Sequence, residues 1–417
     1  MSETRRSGPA GQAAQPSFAA LRHPGFRVYF VTTALAMAAD QVEHVISYWV
    51  LFEKFQSPAL AGFAVLSHWL PFLFFSVYFG AMADRFDSRR IIQVAMLMYM
   101  GVSFAWAVLF YTDTLEIWHA MVLLVIHGLA GVLWGPASQV LIHDIVGREN
   151  LVSAVRLNAT GRQLGSFLGP AIGGGLMLLI GPEAGLVVNV LIYLPLTWWL
   201  WRAPYGAHER RAAAPVHSGS FADAAKVMRE VAGNRTIVSM IVLGGVTSLL
   251  VGNAFIAQMP EYAHDLGTEK ADFSYAVLLG ANAAGAFIGG MILESRGMLR
   301  STPLTAIVLT VLWCVVITGF AAATNYHLAV ALMFVAGVLN LAYSSMAQAL
   351  VQLESPAHLR GRLIGLYHMS NSGLRAFSGV TVGVLGSLIG IHWSLALSSM
   401  ALLAITFALL AFVMRAR

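Results

Sequence analysis

Charge is scarce in this chain. Asp, Glu, Lys and Arg make up 11% of its 417 residues, against about 25% in a soluble domain, so a water-facing surface around a soluble core is excluded. Cysteine is nearly absent: Cys314 is the only one, which rules out an intrachain disulfide. Missing too are a Gly-rich phosphate loop, a Cys/His metal-ligand spacing, a Ser-centred nucleophile motif and any soluble stretch large enough to fold around one. No enzyme activity, cofactor or metal is expected. No A-x-A-like cleavage site follows a short apolar core near the N-terminus, so residues 1–25 read as a cytoplasmic tail.

What is abundant is apolar sequence, 58% of the chain. At about 20 residues per crossing it divides into twelve spans, near 27–52, 60–83, 91–111, 117–142, 157–180, 184–202, 236–259, 273–293, 303–323, 327–351, 363–388 and 393–414. The expected fold is all-α, twelve transmembrane helices in two six-helix bundles, 26–202 and 236–414, with 415–417 as a cytoplasmic end. Between the bundles lies a polar linker, 203–235, in which apolar positions 221, 224, 225, 228 and 231 predict a short interfacial helix.

With the N-terminus inside, all but four of the 25 Lys and Arg residues fall in cytoplasmic segments or span ends; the four are Lys54 and Lys270 outside, and Arg162 and Arg375 within spans. The net charge of +5 is therefore a topology signal. A nucleic-acid surface would not alternate with every second loop.

The halves repeat. Gly80, Asp84 and Arg90 recur 210 residues later as Gly290, Glu294 and Arg300, Gly169 and Gly173 recur as Gly379 and Gly383, and Glu43 falls opposite Asn253. Two similar six-span units can close alternately on either side of one central site.

Two motifs carry more specific chemistry. Gly80-Ala-Met-Ala-Asp84-Arg85-Phe-Asp87-Ser-Arg89-Arg90 follows span two; its glycine permits close helix approach, its arginines hold the loop at the cytoplasmic face, and Asp84 sits where a carboxylate can bind a helix N-terminus. Gly165-Ser-Phe-Leu-Gly169-Pro170-Ala-Ile-Gly173-Gly174 in span five gives a flat packing groove and a proline that can bend the helix. The first segment resembles the loop motif of the major facilitator superfamily, except that Asp87 replaces its usual Gly; the second resembles the antiporter motif of drug:proton exporters, with Arg156 in place of a first Gly. The chain as a whole looks like the branch containing enterobactin exporters, macrolide efflux proteins and transmembrane secretion effectors, on Leu21-Arg-His-Pro-Gly-Phe26-Arg27, Arg148-Glu-Asn-Leu151, Leu157-Asn158, Gly169-Pro170-Ala171 and Gly373-Leu-Arg375. That resemblance implies gating by the Gly80–Arg90 loop, Glu294, Arg300 and the span-five glycines. Because spans one, four, seven and ten line the cavity in that superfamily, it also selects Trp134, Ser138, Asn253, Gln258, Asn340, Tyr343 and Ser344 as substrate contacts.

Asp40 and Glu43 lie inside the first apolar run. A carboxylate at the bilayer centre costs on the order of 3 kcal/mol, and Asp40, Glu43, His44 and Ser47 share one helix stripe. Asp40 lies 13 residues after Arg27 and Arg375 lies 13 after Arg362, which matches their depths at about 20 Å. The expected proton-coupling set is Asp40, Glu43 and Arg375, with His44 at the substrate; His68, His127 and His368 are expected to be packing residues. The overall expectation is a monomeric proton-coupled exporter of an amphipathic molecule such as a siderophore or drug. It would work in the bilayer of a bacterial inner membrane with both termini cytoplasmic, and would bind no nucleic acid. An importer, a lipid flippase or a transport-inactive receptor remains open on the sequence.

Overall fold

The computed structural model of the protein describes residues 17–55, 58–205, 221–252, 259–266, 271–296, 299, 301–378, 382 and 385–414. Nearly all of them are helical, as they must be where no water satisfies backbone N–H and C=O groups. Spans one to four are Pro24–Phe55, Pro58–Arg85, Ser88–Tyr111 and Ile117–Val146. The next helix, Leu151–Arg202, has 52 residues, roughly 78 Å at 1.5 Å per residue, which is too long for one crossing. It turns at Gly181, whose φ of 86° is a left-handed conformation that glycine adopts without strain, so its arms are spans five and six.

The second half runs through Arg235–Leu250, Met259–Asp265, Ala271–Arg296, Pro303–Ala321, Tyr326–Glu354, Arg360–His368 and Ile391–Met414. Among the described residues, eight helices are long and apolar enough to cross a membrane, the 52-residue helix counted as one. Local sequence sets many starts: the side chains of Asp87, Asn234, Thr302 and Asn325 each accept a backbone N–H from the first turn they precede. The expected amphipathic linker helix is Phe221–Glu230. Leu97, Phe104, Leu178, Leu179, Trp198, Trp201 and Trp393 are exposed, an apolar outer belt suited to lipid.

Two spans depart from the single helices expected. The helix of span seven ends at Leu250, and in span eleven, which is α-helical again over Leu385–Ile389, the first α-helix covers only Arg360–His368. It continues as a π-helix over Met369–Gly373 and a 3-10 turn over Leu374–Phe377. Ser370-Asn371-Ser372-Gly373 is a run of weak helix formers, and a Cβ on Gly373 would lie 2.6 Å from the Leu73 backbone. The broken segment therefore rests directly on span two.

Glycine-mediated contact places the first helix. Gly165, Gly169 and Gly173 face Ala34–Val45: a Cβ at Gly169 would meet Gln41 Cβ at 2.4 Å, and one at Gly173 would meet Val42 Cα at 3.1 Å, while Gly174 faces nothing within 4 Å. Span five thus grips the segment that carries the acidic residues.

Candidate functional site

Asp40 and Glu43 are 4% and 2% exposed, and neither makes an ion pair with Arg375. Their common partner is His127 of span four, 4% exposed. Its Nδ1 lies 2.7 Å from Glu43 Oε1 and its Nε2 3.1 Å from Asp40 Oδ1, the latter an ion-pair distance without hydrogen-bond alignment. Ser103 of span three donates its hydroxyl to Glu43 Oε2, and Asn189 of span six donates to Ser103 Oγ at 3.1 Å. Gln41 Nε2 donates to Asp40 Oδ2 at 2.9 Å. His44 contacts the Asp40 backbone carbonyl at 2.7 Å and its carboxylate at 3.6 Å through Nδ1. Ser47 shares their stripe but spends its hydroxyl on the Glu43 backbone carbonyl.

Aromatic rings close the cluster. Tyr99 stands edge-on to His127 at 4.8 Å and stacks on Tyr193 at 5.5 Å; His68 of span two packs on His44 at 5.0 Å and on Trp69 at 4.6 Å. Two carboxylates and the imidazole between them lie close enough in a low-dielectric site for the charge on each to be felt by the others. Among the described residues, His44, His68 and His127, with ring nitrogens within 4.8 Å of one another, are the set that could hold a cation. A metal there would have to displace the carboxylates that face both His127 nitrogens.

Depth matching pointed to Arg375 as the partner of Asp40, but depth does not report which helix is adjacent. Arg375 lies in the 3-10 turn of span eleven with its Cζ 4.8 Å over the Trp69 ring. His127, expected to be a packing residue, was findable: it lies ten residues into span four and Glu43 twelve from the end of span one, about 15 and 18 Å from the same side. Helix contact supplied the rest.

The other expected substrate contacts are spread out. Trp134 is buried with its indole N–H unpartnered, and Arg162 Cζ lies 5.4 Å over its ring. Ser138 donates to its own helix, Asn340 donates to Tyr343 Oη at 3.1 Å, and the Ser344 carbonyl accepts from Tyr367. Asn253 and Gln258 lie outside the described residues, as do Arg300, Gly379 and Gly383.

At the arginine-rich end the halves lock together twice. The Gly361 and Arg362 N–H groups donate to the two oxygens of Asp84 at 2.5 and 3.0 Å, so this buried carboxylate caps span eleven. At the related position Glu294 accepts from Arg156 Nη1 at 3.0 Å and from Ser153. A Cβ on Gly80 would meet the Gly361 carbonyl at 2.2 Å, and one on Gly290 would meet Thr160 Oγ1 at the same distance. Arg156, unexplained by the antiporter pattern, is thus the Glu294 partner. Gln352 donates to Gln139 at 2.9 Å between spans ten and four, a buried link that the sequence did not suggest. Asp87 needs no glycine-like turn: at φ −62° it caps span three and holds the Arg89 side chain, while Arg85 is exposed beside Phe86 and Arg90 donates to Gln93.

Two half-to-half links at related positions, to one side of a buried acid–histidine centre, tie the bundles together, and the family profile of the transmembrane secretion effectors matches residues 15–417. The chain belongs to that family, within the major facilitator superfamily. It is 21% identical over 189 residues to the staphyloferrin A transporter of Staphylococcus aureus (strain NCTC 8325 / PS 47), covering 43% of this chain and 48% of that protein. It is 22% identical over 273 residues to YkuC, an uncharacterized MFS-type transporter of Bacillus subtilis (strain 168), covering 64% and 63%. The chain thus spans about half and just under two thirds of these relatives. Similar solved folds include the human organic anion transporter MFSD10 (TM-score 0.70, 13% identity, 93% of this chain and 100% of that one) and the E. coli fucose:proton symporter (0.71, 13%, 93% and 99%). The chain therefore has the all-helical, twelve-span fold of that superfamily.

Proposed function

We propose that this carrier is a proton-coupled exporter of an amphipathic organic molecule, a siderophore or drug, acting as a monomer in a bacterial plasma membrane with both termini cytoplasmic. One observation carries the reading: Asp40 and Glu43 are buried with one imidazole, His127, within 3.1 and 2.7 Å of them, at a depth where a carboxylate is costly and by default marks a transport site. A proton can enter this cluster from one side and leave to the other as the halves rock, since its affinity depends on which aqueous face it sees. Asp40 and Glu43 are the coupling acids, His127 their shared partner, and Asp84, Glu294 and Arg156 the cytoplasmic gate. Export is favoured by the family's secretion description. Residues 26–202 and 236–414 are the rocking units and 203–235 their tether.

Proteoliposomes of known orientation, with a pH dye inside and a compound panel that includes staphyloferrin A, test this. Wild type should accumulate one compound against its gradient while moving protons the other way. Asp40→Asn should lose both, and Glu43→Gln should keep part of each. Concentrative transport by Asp40→Asn, or net movement toward the cytoplasmic face, would refute the assignment.

A further inference from the structure

The charged side chains within the bundle do not all pair with one another. Asp40 and Glu43 are engaged by His127 and His44, yet Arg162 and Arg375 have neither a carboxylate nor a hydrogen-bond partner among the described residues. Each guanidinium instead lies over an indole, Arg375 on Trp69 at 4.8 Å and Arg162 on Trp134 at 5.4 Å. Such contacts offset only part of the cost of holding a cation out of water. The Arg375 Nε–H, the Trp134 indole N–H and both ring nitrogens of His368 are buried without partners.

These groups form one lining. Trp69 and Phe72 are 6.0 Å apart, Phe72 and His368 6.5 Å, and a Cβ on Gly135, the neighbour of Trp134, would meet His368 Cε1 at 3.7 Å. Arg375 and His368 belong to the broken eleventh span, whereas Arg162, Trp134, Trp69 and Phe72 belong to the first half, so the two halves meet across this surface. Its polar groups are donors in excess and its remaining surface is aromatic. A guanidinium whose N–H groups are unpaired suits a planar acidic group, which it can hold through two parallel hydrogen bonds.

We propose that the transported molecule is an organic acid with an apolar body, its carboxylate or other acidic group held by Arg375 and Arg162 and its body against Trp69 and Phe72. This rests on the transporter reading, because it takes the surface between the halves as the substrate path.

The test is binding by the purified full chain at one pH with no gradient, read as the concentration-dependent rise in unfolding temperature. The probes are two matched series: 4-phenylbutyrate, 4-phenylbutyramide and 4-phenylbutylammonium, and the corresponding 2-naphthyl acid, amide and amine. The acids should stabilise the protein and the amides and amines should not. Arg375→Ala and Arg162→Ala should each weaken acid binding by about tenfold or more, the scale of a lost charge-assisted hydrogen bond, and Arg375→Lys should keep part of it. The unliganded unfolding temperature of each variant reports its fold. Amides or amines stabilising as well as the acids, acids binding either alanine variant as tightly as wild type, or no acid acting at all would overturn the proposal. Because no pH gradient is present, failure of proton coupling leaves this result standing, and acid binding without coupled transport counts only against the coupling.

Discussion

His127 decides what Asp40 and Glu43 are. A pair of acids three residues apart on one helix would repel if both were ionised; an imidazole within 2.7 and 3.1 Å of them makes the trio one unit. Removing that ring takes the shared partner from two buried carboxylates, leaving Ser103 at Glu43 and Gln41 and His44 at Asp40, and breaking a buried pair costs about 3–5 kcal/mol. His127→Leu should therefore lower the unfolding temperature sharply in detergent, and Asp40→Asn/Glu43→Gln should restore much of the loss when combined with it. If the triple variant is no more stable than His127→Leu alone, the ring is ordinary packing and the acids have other partners. Ser103 and Asn189 extend the same network through Glu43, so Ser103→Ala should disturb transport through Glu43 more than through Asp40.

At the scale of elements, the acids are where they are because span five presses on the back of span one. Gly165, Gly169 and Gly173 leave no room for side chains, whereas Gly174 has open space around it. Overpacking such a contact costs on the order of 1–3 kcal/mol. Gly169→Leu should reduce stability by that amount and displace Asp40 from His127, while Gly174→Ala should be neutral; scanning fluorimetry on both variants checks this, and equal effects would show that the glycines are not a packing seam. Span eleven illustrates the opposite design: its π and 3-10 turns break regular hydrogen bonding at a place where Arg375 and His368 face the other half and Asn371 accepts from Ser248 of span seven. A π-segment in a helix is frequent at functional sites, and here it sets the direction of the Arg375 side chain.

For the whole molecule, the two links at the arginine-rich end predict a conformational balance. Asp84→Asn weakens the cap on span eleven, and Glu294→Gln weakens the link to Arg156 and Ser153; either should favour the state open at this end. Paired spin labels across the two mouths should move apart there and together at the opposite end, and unchanged distances would argue against a gate. Topology has its own check on a Cys314→Ala background, which removes a buried thiol. Exposed Arg85 and Lys226, each replaced by Cys, should resist an impermeant maleimide on intact cells, and Asp113→Cys should react. Labelling of Arg85→Cys but not Asp113→Cys would invert the protein. Arg89 is a poorer probe, since its side chain is buried against Asp87 and the Ala203 carbonyl.

The membrane class, the twelve crossings, the repeat and the family were all readable in the chain, because lipid imposes a length and polarity rule on every span and a small set of glycines and charges recurs at one offset. Asp40 and Glu43 stood out for the same reason: an intramembrane carboxylate is rare whatever surrounds it. Asp84 at a helix end was enough to suggest a helix-capping role, and the Gly361 and Arg362 N–H groups fill it. Tertiary structure alone decided which helices are neighbours. It gave Asp40 and Glu43 to His127, gave Arg156 to Glu294 and Gln139 to Gln352, and set Arg375 on Trp69. Hydropathy and depth locate a residue along the membrane normal, but they are silent on rotation about it, and partners in a helical bundle are chosen by that rotation.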